Sequence, residues 1–340
     1  MALRIVALSV MAVLGLTACV AAEEPQAVEE NVESVQETPE VSQPEEPSVP
    51  QASAIFDTPW PSGFTRRELA DTAISRTWEF LDNRNVGSHE TILTSVHQDT
   101  VTPFHQNLSE ELAKVTVDAF GSYMADNVLL ITGTNSEFLE ATHEAQNLVF
   151  ESNAFPRGGN VCVAWKGVAW ISMPTIMKTD ALPGDRHLTA CVPHEFFHVA
   201  QDNLDKAVYG EEASQCQGDK SRPLWLVEGS AQFIGHAVVS HQGHHEYWGN
   251  HFTAGSADLE GPRPLLQSRE SWESGWEAYA WGSLATEYII ASVGIEPLMD
   301  IWAQAGQCIP FDEAFNTALG IRVDDFYAAF DRMNEEMVKG

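Results

Sequence analysis

Apolar and polar positions change their rhythm several times along the chain. Ile5 to Leu16 is an apolar run, shorter than the roughly 20 residues a helix needs to cross a bilayer, and it has the length of a signal-peptide core. From Val20 to Ala54 apolar residues thin out and no periodicity survives. Thr65-Arg66-Arg67-Glu68 then fits a capping box, in which hydroxyl and carboxylate satisfy each other's backbone N–H groups. Ala70, Ile74, Thr77, Trp78 and Leu81 follow at helical spacing. Leu112, Val115, Ala119 and Tyr123 share one face of a second helix, expected from Ser109 to Ala125. Phe56 to Asn127 is therefore expected to be mostly helical. At Asn127 the pattern changes. Val128-Leu129-Leu130-Ile131 predicts a buried strand, and Ser136 to Asn147 a helix. Val161 to Trp165 and Val168 to Ser172 predict two strands joined at Lys166-Gly167, a hairpin turn. Beyond Leu188 nearly everything has helical spacing. The fold class is α+β, a small mixed sheet followed by a mostly helical domain.

Charge narrows the partners. The 340 residues hold 49 Asp and Glu against 18 Lys and Arg, a formal net charge of −31. Nucleic acid is excluded as a partner on this reading, because its phosphates need a basic footprint. The acidity itself is a solubilising surface. Val20 to Ala54 contains no Lys or Arg, many Glu, and Pro25, Pro39, Pro44, Pro47 and Pro50. Such a segment cannot bury enough apolar surface to offset its ordering entropy, and like charges extend it, so it is expected to be a disordered tether. Beyond Cys19 the cysteines are Cys162, Cys191, Cys216 and Cys308. An even number in an exported chain suggests two disulfides, and the absence of any CxxC pair argues against a zinc knuckle. Cys162–Cys191 with Cys216–Cys308 is the favoured pairing, since each bond would brace the layer around the site described next. The other two pairings stay open.

The chemistry centres on His194-Glu195-Phe196-Phe197-His198. On a helix, residues four apart project from one face, so both imidazoles can bind a single Zn²⁺ at about 2.0–2.1 Å. Glu195, beside the first ligand, is placed to accept a proton from a metal-activated water. The alternative is a helix carrying two coincidental histidines. Gln201 and Leu204 stand where the HExxHxxGxxH form needs Gly and His, which excludes that form. A third ligand is available in Trp225-Leu226-Val227-Glu228-Gly229-Ser230-Ala231, where Glu228 opens a helix and Gly229, Ser230 and Ala231 permit close approach to the first one.

With these two motifs in this order the sequence resembles the gluzincin zinc metallopeptidases, and is most similar to the bacterial peptidase-MA-like proteins. The resemblance covers roughly Asn127 to Gly340. It implies a zincin-like catalytic domain with Zn²⁺ held by His194, His198 and Glu228, and Glu195 as general base. Gluzincins commonly use a Tyr or His to stabilise the oxyanion, which makes Tyr279 the candidate donor; the alternative is a Tyr packed among Trp272, Trp276 and Trp281. The resemblance also gives Val168–Ser172 the place of an edge strand along a substrate cleft, pairing with peptide backbone, or that of an ordinary core strand. Asp202, four residues after His198, would be a carboxylate behind the ligands or a solvated helix position. Pro193 directly precedes His194, so the motif helix either begins near Cys191–Val192 or bends there. His236, His241, His244, His245 and His251 lie close together and are expected to form a polar surface loop after the Glu228 helix, the other readings being the cleft wall or extra metal sites. His89, His97 and His105 are taken as surface or packed residues.

The apolar run ends in Leu16-Thr17-Ala18-Cys19, which resembles a bacterial lipobox. That implies cleavage before Cys19, lipidation of Cys19, membrane attachment, and, in a Gram-negative host, the outer membrane. The expected organisation is a signal peptide over 1–18, the tether over 19–54, an N-terminal helical segment over 55–126 and the catalytic domain over 127–340. The resulting expectation is an envelope peptidase acting on peptide or protein substrates. Two alternatives come from other classes: a non-catalytic surface lipoprotein that binds a protein or glycan through its Trp-rich stretch from Trp248 to Trp281, and a zinc hydrolase for other acyl centres.

Overall fold

The computed structural model describes residues 56, 65–83, 91–134, 138, 142, 162–165, 167–172, 186–205, 222–244 and 276–339. Helix α1 (Arg66–Asn83) opens with the predicted capping box. Glu68 accepts from the Thr65 backbone N–H at 2.6 Å, and the Thr65 hydroxyl accepts from the Glu68 N–H at 3.2 Å. Strand β1 (Ile92–His97) follows, where helix was expected. Its pattern hid it: the strand lies at the edge of the sheet and is nowhere fully buried, so Thr94, Ser95 and His97 interrupt the apolar positions. Helix α2 (Pro103–Phe120) starts earlier and ends earlier than the spacing predicts. Thr102 caps it by accepting from the His105 N–H, and Pro103 sits in the first turn, where a missing N–H costs nothing.

Strand β2 (Asn127–Gly133) contains the predicted run and lies parallel to β1, in register from Ile92–Asn127 to His97–Thr132. Strands β3 (Cys162–Trp165) and β4 (Val168–Ser172) form the predicted hairpin, with Gly167 at φ 84° in the turn, a conformation that favours glycine. β4 also runs parallel to β2. The sheet is four-stranded and mixed, in the order β1-β2-β4-β3. The expectation that Val168–Ser172 is an edge strand is therefore corrected. It is paired on both sides, and the strand at that border is β3. Val168, Ala169, Trp170 and Ile171 are all buried, as a strand inside a sheet requires.

The helical half comprises α3 (Arg186–Leu204), α4 (Leu224–His241), α5 (Trp276–Val293), α6 (Glu296–Ala305), α7 (Phe311–Leu319) and α8 (Val323–Lys339). α3 begins well before Cys191, so Pro193 lies in its interior and not in its first turn. Helix α4 is apolar around most of its circumference and correspondingly buried, packed against α3 and α5. Trp225 of α4 donates its indole N–H to the Tyr327 hydroxyl at 3.0 Å and stacks on Phe326, tying α8 to this centre. Trp281 is buried and packs edge-on against Phe330, so it is core and no part of a recognition surface.

The N-terminal segment is not a separate helical piece. β1 hydrogen-bonds to β2, and α1 packs on α5, where Arg66 pairs with the fully buried Glu287 and Arg76 donates to the Ile290 carbonyl at 3.2 Å. A boundary at residue 127 would separate β1 from its hydrogen-bonded neighbour β2, and the described residues all fall within one compact unit, Val49–Gly340. Most of the helix expected over Ser136–Asn147 lies outside the described residues. So do the signal sequence, the tether, Cys216, His89, His245, His251, Trp248 and Trp272. Among the described residues no helix is long and apolar enough to cross a membrane.

Candidate metal centre

α3 crosses α4 where α4 has Gly235. A side chain there would run into the Ala190 carbonyl and the His194 side chain. α4 in turn crosses α5 glycine on glycine: a Cβ on Gly229 would collide with the Gly282 backbone, and one on Gly282 with the Trp225 carbonyl. Glu228 precedes the first of these glycines and Tyr279 lies one turn before the second. Two small-residue crossings thus bring three helices, and the groups they carry, to one place.

His194 and His198 project from the same face of α3, with their Nε2 atoms 3.0 Å apart. Glu228 Oε2 from α4 lies 3.4 Å from His194 Nε2 and 3.3 Å from His198 Nε2. One donor atom from each residue falls within 4.8 Å of the others, the one such group of at least three His, Cys, Asp or Glu among the described residues. Tetrahedral zinc with bonds of about 2.0–2.1 Å needs donors about 3.3 Å apart, and these separations match it. The donor set, two imidazoles and a carboxylate, is one that zinc accepts. His194, His198 and Glu228 could therefore hold the ion.

The surrounding groups are fixed. His198 Nδ1 lies 2.6 Å from Gln201 Oε1, so Gln201, not Asp202, is the side chain behind this imidazole. Gln201 Nε2 reaches the Ser230 hydroxyl at 2.9 Å and the Val227 carbonyl at 3.2 Å. The Tyr279 ring stacks on His194 with centroids 6.1 Å apart and 12° between planes, and its hydroxyl donates to Glu228. Of the tryptophans in the alternative packing of Tyr279, Trp272 and the Trp276 side chain lie outside the described residues. Glu195 accepts a hydrogen bond from the Ala164 backbone N–H of β3. Cys162, at the start of β3, is disulfide-bonded to Cys191, one turn before His194, with Cα atoms 6.2 Å apart. The disulfide thus ties the border strand to the helix bearing Glu195, as favoured from sequence. Cys308 is also disulfide-bonded, while Cys216 lies outside the described residues.

Burial and mutual charge set the protonation of these groups. Burial pushes the Glu195 carboxyl above the ordinary carboxylate range, although His194, His198 and the Ala164 N–H pull the other way. Burial also disfavours charge on His198 and Glu228. The two outweigh it for each other: the carboxylate holds the His198 imidazolium up at about 10, and the histidines hold Glu228 well below the usual range. Burial and the Glu228 charge keep the Tyr279 hydroxyl protonated far above neutrality.

Of the clustered histidines, His236 is buried beside Gln232, at 2.8 Å. His241 meets Asp82 of α1 at 3.0 Å and His244 meets Glu111 of α2 at 3.4 Å. The described members are thus spread between the core and two neighbouring helices. His97 is packed between Thr132 at 2.5 Å and Glu110 at 2.8 Å. The sequence reading does not place Gln201 beside His198, although its position three residues further along the same helix is a visible signal. No family model, curated protein or solved structure matches the chain.

Proposed function

We propose that this protein is a zinc-dependent peptidase with His194, His198 and Glu228 as metal ligands and Glu195 as general base. The observation that carries the reading is the convergence of three donor atoms from two helices at tetrahedral spacing, with Glu195 and Tyr279 alongside. Zinc bound there would supply Lewis acidity, lowering the pKa of a water and polarising the scissile carbonyl. Glu195 takes the proton of the attacking water and returns it to the leaving amine. Its burial makes it a stronger base than an exposed glutamate, which suits it to both transfers. The Ala164 N–H holds its carboxylate in place. Tyr279 keeps its proton, so its hydroxyl remains a donor that can turn from Glu228 to the charge developing on the substrate carbonyl. The lipobox-like Leu16-Thr17-Ala18-Cys19 extends the proposal to a lipid-anchored envelope protein whose acidic tether holds the catalytic body away from the bilayer.

The test is digestion of a proteome-derived peptide library. Wild type should cleave it and contain about one zinc per chain. Glu195→Gln should keep zinc and fold while losing about 10²–10⁴-fold in rate. Glu228→Ala should lose the metal. Cleavage by Glu195→Gln at the wild-type rate would remove Glu195 from the chemistry, and undiminished zinc in Glu228→Ala would remove Glu228 from the ligand set.

A further inference from the structure

Gln201 stands near the end of α3 and is buried. Its two amide ends face neighbours whose hydrogen-bonding roles are fixed. On one side are the Val227 carbonyl at 3.2 Å and the Ser230 hydroxyl at 2.9 Å. A carbonyl only accepts. The Ser230 hydroxyl spends its proton on the Leu226 carbonyl, at 2.5 Å, and has only lone pairs left for Gln201. That side therefore demands the amide NH₂, and the amide oxygen must face His198 Nδ1, at 2.6 Å. An amide oxygen only accepts, so Nδ1 carries a proton, and in the neutral ring Nε2 carries the lone pair. Nε2 is the atom directed at His194 and Glu228.

We propose that Gln201 is a positioning residue. It holds a proton on His198 Nδ1, so that Nε2 is the nitrogen that gives up its proton to a metal, and, through the same amide, it ties α3 to the stretch of α4 that flanks Glu228. The proposal rests on reading His194, His198 and Glu228 as the zinc centre. The two functions need different ends of the side chain. A carboxylate could accept from His198 but could not donate to Val227, and an apolar side chain could do neither.

The experiment titrates zinc into the metal-free full-length protein against a chromophoric chelator. Gln201→Met, near in shape and without hydrogen-bonding capacity, should bind zinc about 10–100-fold more weakly than wild type. Gln201→Glu keeps the acceptor for His198 and should bind zinc no more weakly than wild type, while melting at a lower temperature because the tie to Val227 is lost. Wild-type affinity in Gln201→Met overturns the proposal. A second measurement needs no variant: in zinc-loaded wild type with ¹⁵N-labelled histidine, His198 should carry its proton on Nδ1, and a proton on Nε2 overturns the proposal even if Gln201→Met fails to fold. A wild type that binds no zinc removes the centre itself. That failure is distinct from a zinc-loaded wild type in which Gln201→Met changes nothing.

Discussion

Individual side chains at this site are controlled more by what faces them than by their own type. Tyr279 is an ordinary helix residue in sequence, yet its ring lies flat against His194 and its hydroxyl is bound to Glu228. Tyr279→Phe keeps the stacking and deletes the donor. It should lower kcat by about 10²–10³-fold, the range for a single oxyanion donor, with zinc content unchanged. An unchanged kcat would leave Tyr279 with packing alone. The His198–Glu228 pair yields a pH prediction for the metal-free protein. His198 is raised from 6.5 to about 10 on folding, so its contribution is complete below pH 6.5 and is lost as pH rises toward 10. Glu228 is lowered from 4.5, so its contribution is present above pH 4.5 and is lost as pH falls below it. Melting temperatures followed across pH should decline on both sides of that window. A metal-free protein whose stability is the same at pH 6 and pH 9 would contradict the pairing. The two histidines and Glu195 were legible because one helical turn brings i and i+4 together whatever the rest of the chain does. Gln201 was not, because its importance depends on Val227 and Ser230 of another helix.

Among the elements, the α3–α4–α5 stack decides whether the site exists. The small residues after Glu228 are expected to bring α4 against α3; Ser230 does meet Gln201 of α3, but Gly229 packs on Gly282 of α5, and the tight approach of α3 comes at Gly235, against Ala190. Gly282→Ala places a methyl group into the Trp225 backbone, where no side-chain rotation gives relief. It should destabilise the fold by about 1–3 kcal/mol, as overpacking does, and weaken zinc binding by shifting α5 and α4. Denaturant unfolding of the zinc-free variant checks the first effect, and wild-type stability would show that the crossing is not tight. Pro193 is the element-level departure. In the helix interior it has no N–H to give the Thr189 carbonyl, a loss that a sequence rule assigns to a helix start. α3 nevertheless continues upstream to Arg186, with Cys191 bonded to β3 and Ala190 pressed against α4.

For the molecule as a whole, the stretches on either side of residue 127 share one sheet and one core. β1 joins β2, and the Arg66–Glu287 pair buries its carboxylate completely between α1 and α5. The lipobox-like cysteine belongs to this scale too. Cys19→Ser should move the protein from the membrane fraction to the soluble fraction with hydrolysis intact, and a variant that still sediments with membranes would show a different attachment. The chain's own residues determined what depends on neighbours within a few positions. These are the α+β class, the capping box at Thr65, the hairpin at Gly167, and the paired imidazoles of His194 and His198 with Glu195 between them. Each follows from backbone sterics, short-range hydrogen bonds or the helical repeat. Tertiary structure decided which strand borders the sheet, that β1 is a strand at all, and that Gln201 serves His198. It also decided that Glu228 and Tyr279 meet the histidines. Edge strands carry weak apolar patterns, and contacts between distant segments depend on how closely helices approach, which here is set by glycines on opposite sides of a crossing.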